Sequence, residues 1–103
     1  MRRVIRSRTY IAQLQVFIEQ GIAAFGITTA GRTLARIDQT IDLHLVHFPA
    51  SKTPDPVLGL IVYPISKTPF VVLYDYNDAE LRVHFILPAR ADRRDLDPDS
   101  AEW

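Results

Sequence analysis

Cysteine is missing from the chain. Its absence removes disulfides, thiolate nucleophiles and cysteine-ligated zinc from the chemistry on offer. Glycine is scarce, and Gly21, Gly26, Gly31 and Gly59 lie too far apart to build a phosphate-cradling loop. No apolar run approaches the roughly 20 residues that a membrane-spanning helix requires. Met1-Arg2-Arg3 leads into neither a long apolar core nor a small-residue cleavage site, so a secretory signal is not expected. Net charge is absent as well, with 12 Lys and Arg against 12 Asp and Glu. A neutral chain gains little from counterion release, which argues against nonspecific DNA binding. Together these gaps lead us to expect a cytoplasmic protein without a membrane role.

What is present suits one folded domain: 103 residues, 48% hydrophobic and 23% charged. The charge is unevenly laid out. Six arginines face only Glu19, Asp38 and Asp42 in residues 1–48, whereas Asp95, Asp97, Asp99 and Glu102 crowd the last nine positions. The expected organisation is a single domain over 1–94 followed by an acidic tail, 95–103. The tail lacks periodicity, and the expectation for it is an extended segment ordered against a partner.

Phe70–Leu87 carries the clearest local signal. Two apolar runs flank Asp75-Tyr76-Asn77-Asp78-Ala79-Glu80, whose Asn and Asp side chains turn a backbone, so the stretch reads as an antiparallel hairpin. Its first arm, Phe70–Tyr74, is apolar without a break and suits a strand covered on both faces. Strict alternation in the second arm would put Leu81, Val83, Phe85 and Leu87 on one side and Arg82, His84 and Ile86 on the other. Upstream, Arg3-Val4-Ile5-Arg6 reads as a short strand and Ser7 as the N-cap of a helix. That helix has a stripe at Tyr10, Ile11, Leu14, Phe17, Ile18, Ile22 and Phe25 and ends at Gly26. Thr28 or Thr29 would cap a second helix with its stripe at Leu34, Ile37, Ile41, Leu45 and Phe48, stopped by Pro49. The proline-rich loop Pro49–Pro56 precedes a strand-like run, Val57–Tyr63, with Pro64 at its end. The order β-α-α-β-β-β defines an α+β fold, with an αα-hairpin packed on a small, mostly antiparallel sheet.

Few residues offer chemistry. His44 and His47 stand three apart on a helix, but no third ligand accompanies them, so no metal site is expected. Arg82 and His84 share one face of the last strand, where they form either a solvated outer face or part of a phosphate-binding surface. Arg90, Arg93 and Arg94 follow; they suit a macromolecular contact, and local pairing with Asp92, Asp95 and Asp97 competes with that role. Trp103 either folds back onto the sheet or anchors a partner. No cofactor is implied.

The pattern resembles the RelE/ParE superfamily of bacterial type II toxin–antitoxin toxins. The residues that carry the resemblance are the helical hairpin ending in Leu45-Val46-His47-Phe48-Pro49 and the proline-rich loop after it. The run Thr68-Pro69-Phe70-Val71-Val72-Leu73-Tyr74 and the closing Leu81-Arg82-Val83-His84-Phe85-Ile86-Leu87 with its basic sequel complete the likeness. The resemblance implies a toxin held inactive by a cognate antitoxin, with DNA contacted only indirectly through that antitoxin, as in plasmid stabilization systems. RelE-like members cleave mRNA on the ribosome, whereas ParE-like members inhibit DNA gyrase. RelE-like toxins place cations on the sheet for cleavage, yet Val57–Tyr63 contains no basic residue. The ParE-like reading, a gyrase-binding toxin, is therefore preferred. Under it, Arg90, Arg93, Arg94 and Trp103 are the expected target contacts and Leu43 and Val46 the expected antitoxin contacts. The mRNA endoribonuclease alternative would rest on Arg82 and His84, and a non-toxic, partner-binding relative is the third reading.

Overall fold

Two helices lie on one face of a four-stranded sheet. The computed structural model describes residues 1–103. Its elements are β1 (Arg3–Arg6), α1 (Arg8–Phe25), α2 (Ile27–Gln39) with a π-helical extension over Thr40–Leu45, β2 (Ile61–Pro64), β3 (Phe70–Tyr76) and β4 (Glu80–Pro88). The strand order is β1-β4-β3-β2. β2, β3 and β4 pair antiparallel, and β1 joins the edge of β4 in parallel. No helix is long and apolar enough to cross a membrane.

Ser7 fixes the geometry where β1 becomes α1. Its hydroxyl accepts from the Tyr10 amide at 2.8 Å, as an N-cap should, and donates to the His84 carbonyl at 2.6 Å. One fully buried side chain thus satisfies a helix donor and a strand acceptor on an element far away in sequence. Ser7→Ala removes the cap and leaves the buried carbonyl without that donor. The expected loss is about 2 kcal/mol, read from chemical denaturation as a lower midpoint at unchanged slope.

Gly26 ends α1 and starts α2. Its φ of 89° lies in the left-handed region that a side chain disfavours, and its amide donates to the Ile22 carbonyl at 2.9 Å. Its own carbonyl then accepts from Ala30. The expected Thr28 or Thr29 cap is therefore not used, because the turn between the helices is a single residue.

The second helix also departs from its expected stripe. Thr40 Oγ1 donates back to the Arg36 carbonyl at 2.8 Å, and from Thr40 the backbone widens into π geometry. Ile37, Ile41 and Leu45 keep facing the core, but Phe48 is thrown outward and is 61% exposed. Arg6 holds this segment to β1 through both Asp42 carboxylate oxygens at 3.1 Å, with Asp38 at 3.6 Å. Beside that pair, burial pushes the Tyr10 hydroxyl up to about 12, against the opposing pull of the Arg6 guanidinium.

Two strand expectations need correction. Only Ile61–Pro64 is strand; Val57 and Leu58 sit in a turn because Asp55 Oδ1 accepts from both of their amides, at 2.9 and 3.0 Å. Those bonds hold the Asp55 carboxyl below its usual range. In β4 the strict alternation fails. The register runs Leu73↔Phe85 and then Tyr74↔Val83, so His84 is the extra residue of a bulge. Leu81, Val83 and Ile86 consequently pack with Tyr10, Ile37 and Ile41 under the helices. Phe85 lies on the opposite face with Leu58, Leu60, Val71 and Leu73, and Leu87 packs against that second cluster. β3 is buried from Val71 to Tyr74, as its unbroken apolar run implies. Tyr74 donates its buried hydroxyl to the Pro49 carbonyl at 2.6 Å, tying the proline-rich loop to the core.

Candidate binding surfaces

The bulge in β4 creates a polar cluster on the sheet face away from the helices. Hairpin register places Asp75 directly opposite Arg82. Arg82 Nε stands 3.9 Å from Asp75 Oδ1, and His84 Nε2 stands 3.1 Å from the same oxygen. The close approach to His84 is misaligned for a hydrogen bond, and the other ring nitrogen, Nδ1, has no partner either. Trp103 joins the cluster: the Arg82 guanidinium lies over its ring at 4.7 Å, and the ring meets that of His84 edge-on at 4.8 Å. His84 is left 7% exposed.

This arrangement bears on chemistry. A general base or acid must come within about 2.6–3.2 Å of the proton it moves, or reach it through one water. His84 is enclosed by Asp75, Arg82, Phe85 and Trp103, so no substrate atom reaches it while the indole stays in place. Arg82 contacts an indole face and a carboxylate while its side chain stays 40% exposed. Of the two expectations for Trp103, the chain folding back on itself is the one observed.

The tail is ordered against its own sheet, not extended from it. Leu96 and Ala101 pack on the Leu58–Phe85 cluster, the Arg8 amide donates to the Glu102 carbonyl at 2.6 Å, and the Glu102 amide donates to Thr9 Oγ1 at 3.0 Å. Arg94 is committed to Asp92, with three side-chain hydrogen bonds of 2.7 to 3.1 Å. That pairing holds the Asp92 carboxyl below its usual range and pushes the Arg94 guanidinium up. Arg93 reaches the Ala89 carbonyl at 3.5 Å. Arg90 is exposed and has no carboxylate within ion-pairing distance. The three arginines therefore follow β4 in different states, with Arg90 the most available.

Leu43 and Val46 are separated by the π-helical turn. Leu43 projects into solvent at 67% exposure, while Val46 is buried at 3%. A regular α-helix would have put the two on neighbouring faces; the wider turn rotates Val46 inward. Val46 cannot meet a partner without opening the core. His44 lies against Phe48 and Tyr63, with ring centroids at 5.5 and 5.8 Å, and His47 is exposed.

A larger apolar surface leaves no mark in the sequence pattern. At the far end of the helical hairpin a groove of about 310 Å³ opens between α1, α2 and the sheet edge, lined by Phe17, Gly21, Phe25, Ala30, Phe70 and Pro88, among others. Phe17 and Phe70 stack at 4.9 Å to form its floor. Phe25 stands at its rim, 73% exposed, near Ile22 and Ile27, which are also open to solvent. Helical periodicity had assigned Ile22 and Phe25 to the core stripe. Periodicity carries no signal that separates a covered turn of such a stripe from an uncovered one.

No protein-family model matches the chain, and no curated protein sequence matches it. Among solved structures it is similar to a chain described as "Chromosomal ParDE TA system from P. aeruginosa", with a TM-score of 0.72 and 19% identity. The match covers 85% of this chain and 96% of that one. At that identity the likeness is one of architecture: this chain shares the fold of a chain from a ParDE TA system.

Proposed function

We propose that the chain is the toxin of a type II toxin–antitoxin pair, of the ParE kind, which acts by binding DNA gyrase and is neutralised by a cognate antitoxin. The fold likeness to a chain of a ParDE TA system supports the toxin–antitoxin part of this reading. The observation that carries the choice of binding over RNA cleavage is the enclosed state of His84, with the half-exposed Arg82 held between Asp75 and the indole. Cleavage by 2′-hydroxyl attack needs a group to take that proton, another to protonate the leaving oxygen, and cations aimed at the phosphorane. Here the imidazole is sealed beneath Trp103, the guanidinium is engaged by Asp75 and the indole, and β2 offers no cation at all.

In this reading the antitoxin lays an amphipathic segment into the apolar groove of the helical hairpin, and Leu43 adds a contact at the opposite end of α2. Arg90 and Arg93 present cations to the target. The in-cell experiment is induction of the chain without antitoxin, followed by measurement of DNA-damage response and mRNA integrity in the same culture. The expected result is an induced SOS response and filamentation with full-length transcripts. Shortened transcripts without SOS induction would favour the endoribonuclease reading, and harmless expression would favour a non-toxic, partner-binding relative.

A further inference from the structure

The segment Asp95–Trp103 is attached to the domain in an unusual way. It covers an apolar sheet face, Leu58, Leu60, Val71, Leu73 and Phe85, yet it adds no strand to the sheet. Its internal hydrogen bonds are local turns: Ser100 to the Asp97 carbonyl at 3.1 Å, with the Asp99 amide on Asp97 Oδ1 at 2.9 Å. Three hydrogen bonds join it to the rest of the chain: two at Glu102 and a local turn bond from the Leu96 amide to the Arg93 carbonyl at 3.2 Å. None of Asp95, Asp97, Asp99 and Glu102 makes an ion pair. The remaining attachments are two small apolar contacts, Leu96 and Ala101, and the indole of Trp103 over Arg82. Trp103 is itself 44% exposed. Beneath it His84 Nε2 and Asp75 Oδ1 face each other at 3.1 Å, and the other ring nitrogen, Nδ1, has no hydrogen-bond partner.

We propose that Asp95–Trp103 is a detachable strap that occupies, in cis, a peptide-docking face on the outer side of the sheet. A partner's extended peptide, carrying an aliphatic side chain and an aromatic one spaced like Leu96 and Trp103, docks there by displacing it. The strap states the chemistry that the face recognises. The aliphatic side chain seats on the Leu58–Phe85 cluster, the aromatic ring lies beneath the Arg82 guanidinium, and the intervening acids remain in solvent. The strap competes because it is tethered. A linked segment acts at an effective concentration on the order of millimolar, so a free peptide of moderate affinity is suppressed by about tenfold or more until the strap is loosened.

Trp103 is the chain's single tryptophan, which makes the test direct. The probe is the synthetic peptide DLDPDSAEW with an N-terminal fluorophore, titrated into the native chain and into Trp103→Ala while anisotropy is followed. The peptide is expected to bind Trp103→Ala at least about tenfold more tightly than the native chain. A control peptide with its Trp and Leu replaced by Ala is expected to bind neither. Far-UV circular dichroism reports whether the variant is folded. Equal binding to both chains, or no binding to the folded variant, would overturn the proposal. So would global unfolding of Trp103→Ala, because the strap would then belong to the cooperative core. Neither gyrase nor an antitoxin enters the measurement, so its failure and that of the toxin reading are separate results.

Discussion

Val46→Asp is expected to abolish the folded state at room temperature, whereas Leu43→Asp, three residues earlier, leaves the thermal midpoint within about 2 °C of the native chain. The two positions are both aliphatic, and both sit on the segment that leaves α2. Their difference is produced by the backbone. Val46 is 3% exposed, inside the π-helical turn that keeps Ile41 and Leu45 on the core. A carboxylate there must either be desolvated without a partner or take up a proton, and either course costs several kcal/mol. The loss of valine's apolar burial adds about 1–2 kcal/mol. Against a total stability of about 5–15 kcal/mol for a domain of this size, that sum removes most or all of the margin. Leu43 is 67% exposed, so its replacement changes little but solvated surface. Circular dichroism melts of the two variants check the pair. A cooperative melt of Val46→Asp near the native temperature would contradict the structure of this turn.

Phe25→Asp is the second large effect, and it concerns binding. The ring stands 73% exposed at the rim of the groove that closes on Phe17 and Phe70, so the fold does not depend on it. Burying a phenylalanine against a partner is worth about 1.5–3 kcal/mol, and a carboxylate pressed against the same apolar surface adds a desolvation penalty of at least about 1 kcal/mol. The expected loss is about 100-fold in affinity for the antitoxin of the proposed pair, with the thermal midpoint nearly unchanged. Titration calorimetry on the purified pair measures it. An unchanged Kd would move the antitoxin off this groove and leave the sheet edges as the place to look.

The parts of this fold that were legible in the sequence are those set by local chemistry. Ser7 before an apolar-periodic run and Gly26 after it mark the ends of α1, and both act in the structure as that chemistry requires. Asn77 turns the hairpin with its own side chain, accepting from the Ala79 and Glu80 amides at 2.8 Å. The unbroken apolar run of β3 announced a strand buried on both faces. What escaped depends on backbone pairing between distant residues. The bulge at His84 is a property of how β4 meets β3, and it reverses the facing of Phe85 and Ile86 relative to simple alternation. The widening at Thr40 turns on one hydroxyl that bonds backward to Arg36. The parallel docking of β1 on β4 leaves no mark in either strand's pattern.

The same divide runs through the candidate sites. Arg82, His84 and Trp103 each drew notice as a residue type, but their meeting required the tail to return across the sheet, which nothing periodic in residues 95–103 signals. Asp75 reads as a turn residue from its local sequence but lies in β3. Its place opposite Arg82 follows from the register of the hairpin and makes it the common neighbour of both groups. The apolar groove was hidden for the opposite reason. Helical periodicity counts a stripe as core along its whole length, whereas Ile22 and Phe25 in the last turns of α1 are left exposed beside the groove.

The most direct measurement is a supercoiling assay with purified gyrase, relaxed plasmid and the purified chain in increasing amount. A toxin that acts by binding predicts a stoichiometric loss of supercoiling, restored when antitoxin is added. Undiminished supercoiling at a large molar excess of folded protein would contradict the account.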